Sequence, residues 1–203
     1  MLILSGEKIM STEVTVEVKE PLDSALSKLK SQGFIVSETF TINDSYFTAF
    51  DKENVNEVTY EELLLKSVLV RNVIDSSGER NYIIYKNKKL DKEGNVVSED
   101  KIESKIESDE KIKQILKSSG MMNWCNIKNN SLVLQRGIMS FCIQSIENLG
   151  DFIEYEATMI HSGLNSENKF KVLEDEIKRL NLVLGTDFSC KKPYMLLKKQ
   201  TLQ

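Results

Sequence analysis

The chain has 203 residues, 40% of them hydrophobic and 29% charged, a balance that excludes a disordered polypeptide and leaves enough apolar material for one substantial core. A formal net charge of -4 gives no general attraction for phosphate backbones, so no nucleic-acid partner is expected. No apolar run approaches the roughly 18–20 residues of a membrane span, so no membrane partner is expected either.

The opening MLILSGEKIM is too short for a signal peptide. Residues 1–9 read as an extension outside the domain, with Met10 as the natural start, because Gly6-Glu7-Lys8 fits a purine-rich ribosome-binding stretch. A single domain is expected over residues 10–203. Cys125, Cys142 and Cys190 are odd in number and in no metal-ligand spacing, which points to small buried hydrophobes in a reducing cytoplasm.

In STEVTVEVKE (11–20), Val14, Val16 and Val18 fall on one side of a strand, and Glu13, Thr15, Glu17 and Lys19 on the other. PLDSALSKLKSQG then predicts a helix with Pro21 in its first turn, Leu22, Ala25, Leu26 and Leu29 on one face and Gly33 as its stop. Strands are predicted at 34–42, 45–50, 67–74 and 81–87, with TYEELLLKS a brief helix before the third. The charged stretch 88–111 reads as a solvated hairpin and loop. Ser108 caps a helix whose buried stripe is Ile112, Ile115 and Leu116 and whose stop is Gly120. Strands follow near 124–128, 131–135 and 139–145, then the strand DFIEYEA. A helix from Asn165 carries Phe170, Leu173, Ile177 and Leu180, and YMLLKKQ adds a short terminal one. Many strands with inserted helices make this α+β rather than a doubly wound sheet.

Glu154 and Glu156 share one strand face with Phe152. Two carboxylates there repel unless a cation or basic groups lie between them. Such polar faces fit either a solvated outer surface, the commoner case, or a barrel whose inside holds Mg²⁺ and phosphate. His161 is the only histidine and reads as a surface loop residue, and no catalytic residue is identified. Trp124 and Tyr46 read as core.

The motifs resemble those of the CYTH superfamily, the triphosphate tunnel metalloenzymes that include class IV adenylyl cyclases and thiamine triphosphatases. Thr15-Val-Glu17-Val-Lys19 resembles the family's Glu-x-Glu-x-Lys strand, NDSYF its Asp-x-Tyr-Phe strand, VLVRNV its Leu-Arg-x-Arg strand, and NYIIYKNK the strand ending in a phosphate-gripping lysine, Lys86. KIESK is similar to Arg-x-Glu-x-Glu, with Lys101 and Glu103 at its first two positions, and Lys128-Asn129-Asn130 to Lys-x-Arg. IENLGDFIEYE is similar to the strand leading into the paired glutamates. The similarity runs from residue 12 to 200.

The resemblance implies an antiparallel β-barrel of about eight strands with helices packed outside. Its tunnel would hold Mg²⁺ or Mn²⁺ on Glu17, Glu154 and Glu156. Lys19, Arg71, Lys86, Lys101, Lys128 and Arg136 would grip the phosphates of a small-molecule triphosphate, with Glu103, Thr15 and Gln144 in support. Val14, Val16, Val18 and Ile153 would then pack outward under helices. The similar length of class IV cyclases suggests a homodimer. Departures stand at Thr15, Leu69, Lys105, Asn130 and Gln144, where charged family residues are replaced. The implied function is therefore metal-dependent phosphoryl chemistry on a triphosphate or, alternatively, binding of a nucleotide or polyphosphate by a module that has lost turnover.

Overall fold

The computed structural model describes residues 12–50, 58–90 and 96–201; the leading extension with its Met10 start lies outside them, as does the side chain of Lys86. In chain order the elements are β1 (Glu13–Val18), α1 (Leu22–Ser31), β2 (Ile35–Thr48), α2 (Tyr60–Leu65), β3 (Ser67–Asp75), β4 (Gly78–Leu90), β5 (Val96–Ile106), α3 (Asp109–Ser118), β6 (Met122–Arg136), β7 (Met139–Ile146), β8 (Gly150–Glu156), a 3-10 turn at Met159–His161, α4 (Ser166–Lys178) and α5 (Lys192–Thr201). The strands form one eight-stranded sheet in the order β1-β8-β7-β6-β2-β3-β4-β5. Every neighbouring pair is antiparallel. This is the expected α+β architecture, although no ladder between β1 and β5 closes the sheet among the described residues.

Strand alternation divides the sheet into two faces. Val16 lies opposite Ile153, Ile153 opposite Ile143 and Ile143 opposite Leu132. This apolar face is covered by Ala25 and Leu29 of α1 and by Leu173 and Ile177 of α4, with Val14, Val18, Phe141 and Tyr155 in the same core. Each large side chain so buried contributes about 1.5–3 kcal/mol, which is why the valines and Ile153 turn outward beneath the helices, as expected. Gly33 ends α1 at φ 87, a conformation that costs glycine nothing.

The free edge of β1 is covered by the chain after α4. Phe188 O accepts from Thr15 N at 3.0 Å, Glu17 O from Gly185 N at 2.8 Å and Val183 O from Lys19 N at 2.7 Å, so this edge has no exposed row of donors to recruit another strand. Glu20 pins that segment to α1. Its carboxylate accepts from Lys28 Nζ, Ser24 Oγ and Val183 N, and these bonds, that of Lys28 foremost, hold its pKa down at about 2.

The structure departs from the sequence reading in several places. The strands predicted at 34–42 and 45–50 are one strand, β2, because Asn43 and Asp44 do not turn. Their side chains bond across the ladder, to Asn72 at 3.0 Å and to Arg71. Likewise 124–128 and 131–135 are one strand, β6, in which Asn129 is buried and accepts from Ser131 Oγ at 3.1 Å. No residue of α3 is buried, and Ile115 is 56% exposed. The helix rests on β3 and β4 with only the Ile112 and Leu116 side of the expected stripe partly covered.

His161 is 3% exposed, not a surface loop residue. Its Nδ1 accepts from Thr158 N at 3.0 Å, and its Nε2 faces Glu176 Oε2 at 3.7 Å. Tyr155 donates to the same Glu176 oxygen at 2.8 Å. Those partners satisfy the ring inside the helix-covered layer. No helix among the described residues is long and apolar enough to cross a membrane.

Candidate functional site

The second face of the sheet is polar, and the register determines which groups share it. Thr15 pairs with Glu154 and Glu154 with Cys142. Phe152 pairs with Gln144, Gln144 with Ser131, and, further along, Asp44 with Arg71. In a flat sheet Glu154 on β8 and Arg71 on β3 would stand four strand spacings, about 19 Å, apart. Yet the negative charge of Glu154 is among those that act on Arg71, so the sheet curls and brings its two halves to face each other.

At one end of this concave face, single carboxylate oxygens of Glu13, Glu154 and Glu156 lie within 4.8 Å of one another. Like charges so close are tolerated in the presence of a cation, and three hard oxygen ligands suit Mg²⁺ or Mn²⁺. The donor set therefore fits the implied metal. Its third member is Glu13 rather than the expected Glu17, whose carboxylate is held by Lys19 Nζ at 2.6 Å. Glu17 lies four residues further along β1, opposite Phe152.

Beside this trio, Lys192 Nζ of α5 donates to Gln144 Oε1 at 2.5 Å and to Glu154 Oε2. Cys142, next to Glu154, has its thiol pushed up to about 12, by burial first and then by Glu154 and Glu156. A thiol so protonated is no nucleophile near neutral pH.

The basic residues sort differently. Arg71 lies on the concave face and forms a two-pronged pair with Asp44, Nε to Oδ1 and Nη2 to Oδ2 both at 2.7 Å. Burial opposes its charge, but Asp44 outweighs burial, with Tyr46 and Glu154 adding, and the guanidinium is held protonated more firmly than a free arginine. Lys101, Glu103 and Lys105 on β5 share the face of Arg71 by register, through Tyr82 and Ile84. Lys101 pairs with Glu103.

Two expected phosphate ligands point elsewhere. Lys128 alternates with the buried Ile127 and Asn129, is 58% exposed and meets Glu147 at 3.7 Å. It borders a cavity of about 660 Å³ whose walls include Asn43, Asp44 and Lys199 but neither Arg71 nor Glu154. Arg136 stacks on the Phe34 ring, 4.4 Å from its centroid, and donates to Gln32 O at 3.1 Å, at the end of α1. The alternation of β6 turns both away from the carboxylates.

Glu13, Asp44 and Lys192 are site residues outside the expected ligand set. Glu13 was accessible to strand parity, since it lies on the polar side of β1 with Thr15 and Glu17. Asp44 stands within NDSYF. Nothing in the tail sequence CKKPY marks Lys192, which reaches the sheet only because 183–190 is laid along β1.

No protein-family profile matches the chain. It is 29% identical over 189 residues to a Methanocaldococcus jannaschii protein that carries the provisional name adenylate cyclase, covering 91% of this chain and 98% of that one. Among solved structures, a Pyrococcus horikoshii protein superposes with a TM-score of 0.67 at 17% identity, covering 93% of this chain and 99% of its own. A provisionally named adenylyl cyclase from Hippeastrum, described as revealing a dominant triphosphatase activity, superposes with a TM-score of 0.59 at 15% identity over 95% and 96%. The fold is that of the CYTH proteins, the triphosphate tunnel fold.

Proposed function

We propose that the concave face binds a small molecule carrying linked phosphates, together with one divalent cation, and performs phosphoryl chemistry on it. The observation that carries this reading is the opposition of charge across the curl: Glu13, Glu154 and Glu156 cluster at one wall, and the charge of Glu154 reaches Arg71 on the other. Held on the three glutamates, Mg²⁺ or Mn²⁺ would neutralise charge on phosphate oxygens. Arg71, kept charged and oriented by Asp44, presents its remaining N–H donors to further oxygens, and Lys101 and Lys105 extend the basic wall. Lys19 and Lys86 complete the proposed set. The names of the relatives, adenylate cyclase and triphosphatase, support a triphosphate as the substrate class.

A second reading, binding without turnover, is favoured by one observation. Thr15 and Gln144 bring neutral oxygens to the wall, and Lys192 already engages Glu154.

Charge-assisted bonds accumulate with each phosphate that meets another cation. Tripolyphosphate with Mn²⁺ is therefore expected to raise the melting temperature more than orthophosphate at equal concentration and modest salt. Equal shifts, or none, contradict a triphosphate site. Turnover of ATP, thiamine triphosphate and tripolyphosphate, with and without metal, separates the two readings: hydrolysis or cyclisation supports the enzyme, and a large thermal shift without product supports the binding module.

A further inference from the structure

We infer that Lys192 is an internal counter-cation of the carboxylate wall, which limits this chain to a single, weakly held divalent ion. The inference rests on the metal site proposed above and adds the residue that sets its occupancy. Glu154 stands between two neighbourhoods. On one side are Glu13 and Glu156; on the other is the Lys192 ammonium, which bridges Glu154 Oε2 and Gln144 Oε1.

The bridge is well seated. Gln144 is 4% exposed, and the Lys192 side chain only 17%. The helix that carries Lys192 is anchored beside the same face through its Leu196 and through Cys190 just before it, which pack with Phe152, Ile127 and Cys125. A positive charge fixed there does two things. It occupies the space next to Glu154 that a second divalent ion would need. It also repels an ion on the trio, because both share Glu154. Gln144 fits the arrangement, since a neutral amide oxygen accepts from the ammonium without adding a carboxylate to attract another metal. Lys192 is thus a positioning and occupancy residue, not a catalytic one.

The test is Mn²⁺ titration of the full chain, followed by the electron paramagnetic resonance signal of free Mn²⁺, for wild type, Lys192→Arg and Lys192→Gln. The expected result is one weak site in the wild type and the arginine variant, and binding tighter by roughly tenfold or more in the glutamine variant, the scale of one unit charge removed at a few ångströms. If wild type binds Mn²⁺ and Lys192→Gln binds it no tighter, or if Lys192→Arg tightens as much as Lys192→Gln, this inference fails while the metal site stands. If neither wild type nor Lys192→Gln binds Mn²⁺, both fall. A glutamine variant that cannot fold overturns the inference as well, since the ammonium would then serve the packing of α5.

Discussion

Glu154→Gln is expected to remove Mn²⁺ binding and, with it, any metal-dependent turnover, by a factor of at least about 100, the upper range for groups that merely support a metal ligand. Glu154 is the one carboxylate common to the trio and to the Lys192 bridge. Its replacement by an amide lowers the charge of the trio and leaves the Lys192 ammonium with two neutral oxygens. Three carboxylates with one ammonium would become two carboxylates with one ammonium, and that ammonium would face the divalent ion with no shared carboxylate between them. Melting temperature in chelator should change little by comparison, because Glu154 is only half-buried and belongs to neither hydrophobic cluster. The converse double change, Thr15→Glu with Gln144→Asp, places carboxylates on both sides of Glu154. These positions are 4% exposed, so this variant should be less stable in chelator and regain stability with Mn²⁺, which binds only the folded chain. Thermal scans with and without metal check both expectations.

Asp44→Ala should have the largest effect on stability. The Asp44 side chain is 7% exposed and that of Arg71 26%, and the two are joined by a pair of bonds. Removing the carboxylate strands a guanidinium on the concave face. Breaking such a pair costs about 3–5 kcal/mol, and the partial exposure of Arg71 places this case near about 3. For a chain of this size that corresponds to a fall of about 6–12 °C in melting temperature. Tripolyphosphate should recover more of the loss than it adds to the wild type, because its oxygens replace those of Asp44. A variant as stable as wild type, with no added response to the anion, would show that Arg71 is solvated and remote from the ligand.

The sequence made the apolar side of this fold easy to read and its polar side hard. Val14, Val16 and Val18, the α4 stripe and the caps Ser108 and Asn165 are local signals, and each needs only its own strand or helix period to be recognised. The polar face depends on partners distant in the chain. Asn43-Asp44 reads as a turn until Asn72 and Arg71 are set opposite it, and Asn129-Asn130 reads as a break until Ser131 and Thr41 supply hydrogen bonds.

Motif spacing located the glutamates of β8 but not which cations face them. That depends on the unbroken alternation of β6, which turns Lys128 and Arg136 away, and on the path of 183–190, which delivers Lys192. Glu13 is legible by strand parity, but the motif begins two residues later and does not include it. His161 reads as a loop residue because Thr158, three positions earlier, is a weak local signal, while Glu176 and the layer that buries the ring meet it only in three dimensions.

A crystal structure of the full chain with tripolyphosphate and Mn²⁺, measured for Mn anomalous scattering, tests the central claim most directly. The account predicts one anomalous peak among Glu13, Glu154 and Glu156, with the phosphate chain running from it toward Arg71 inside the curl of the sheet. Tripolyphosphate seated instead against Lys128 or Arg136, or bound without any Mn²⁺ at the three glutamates, would contradict it.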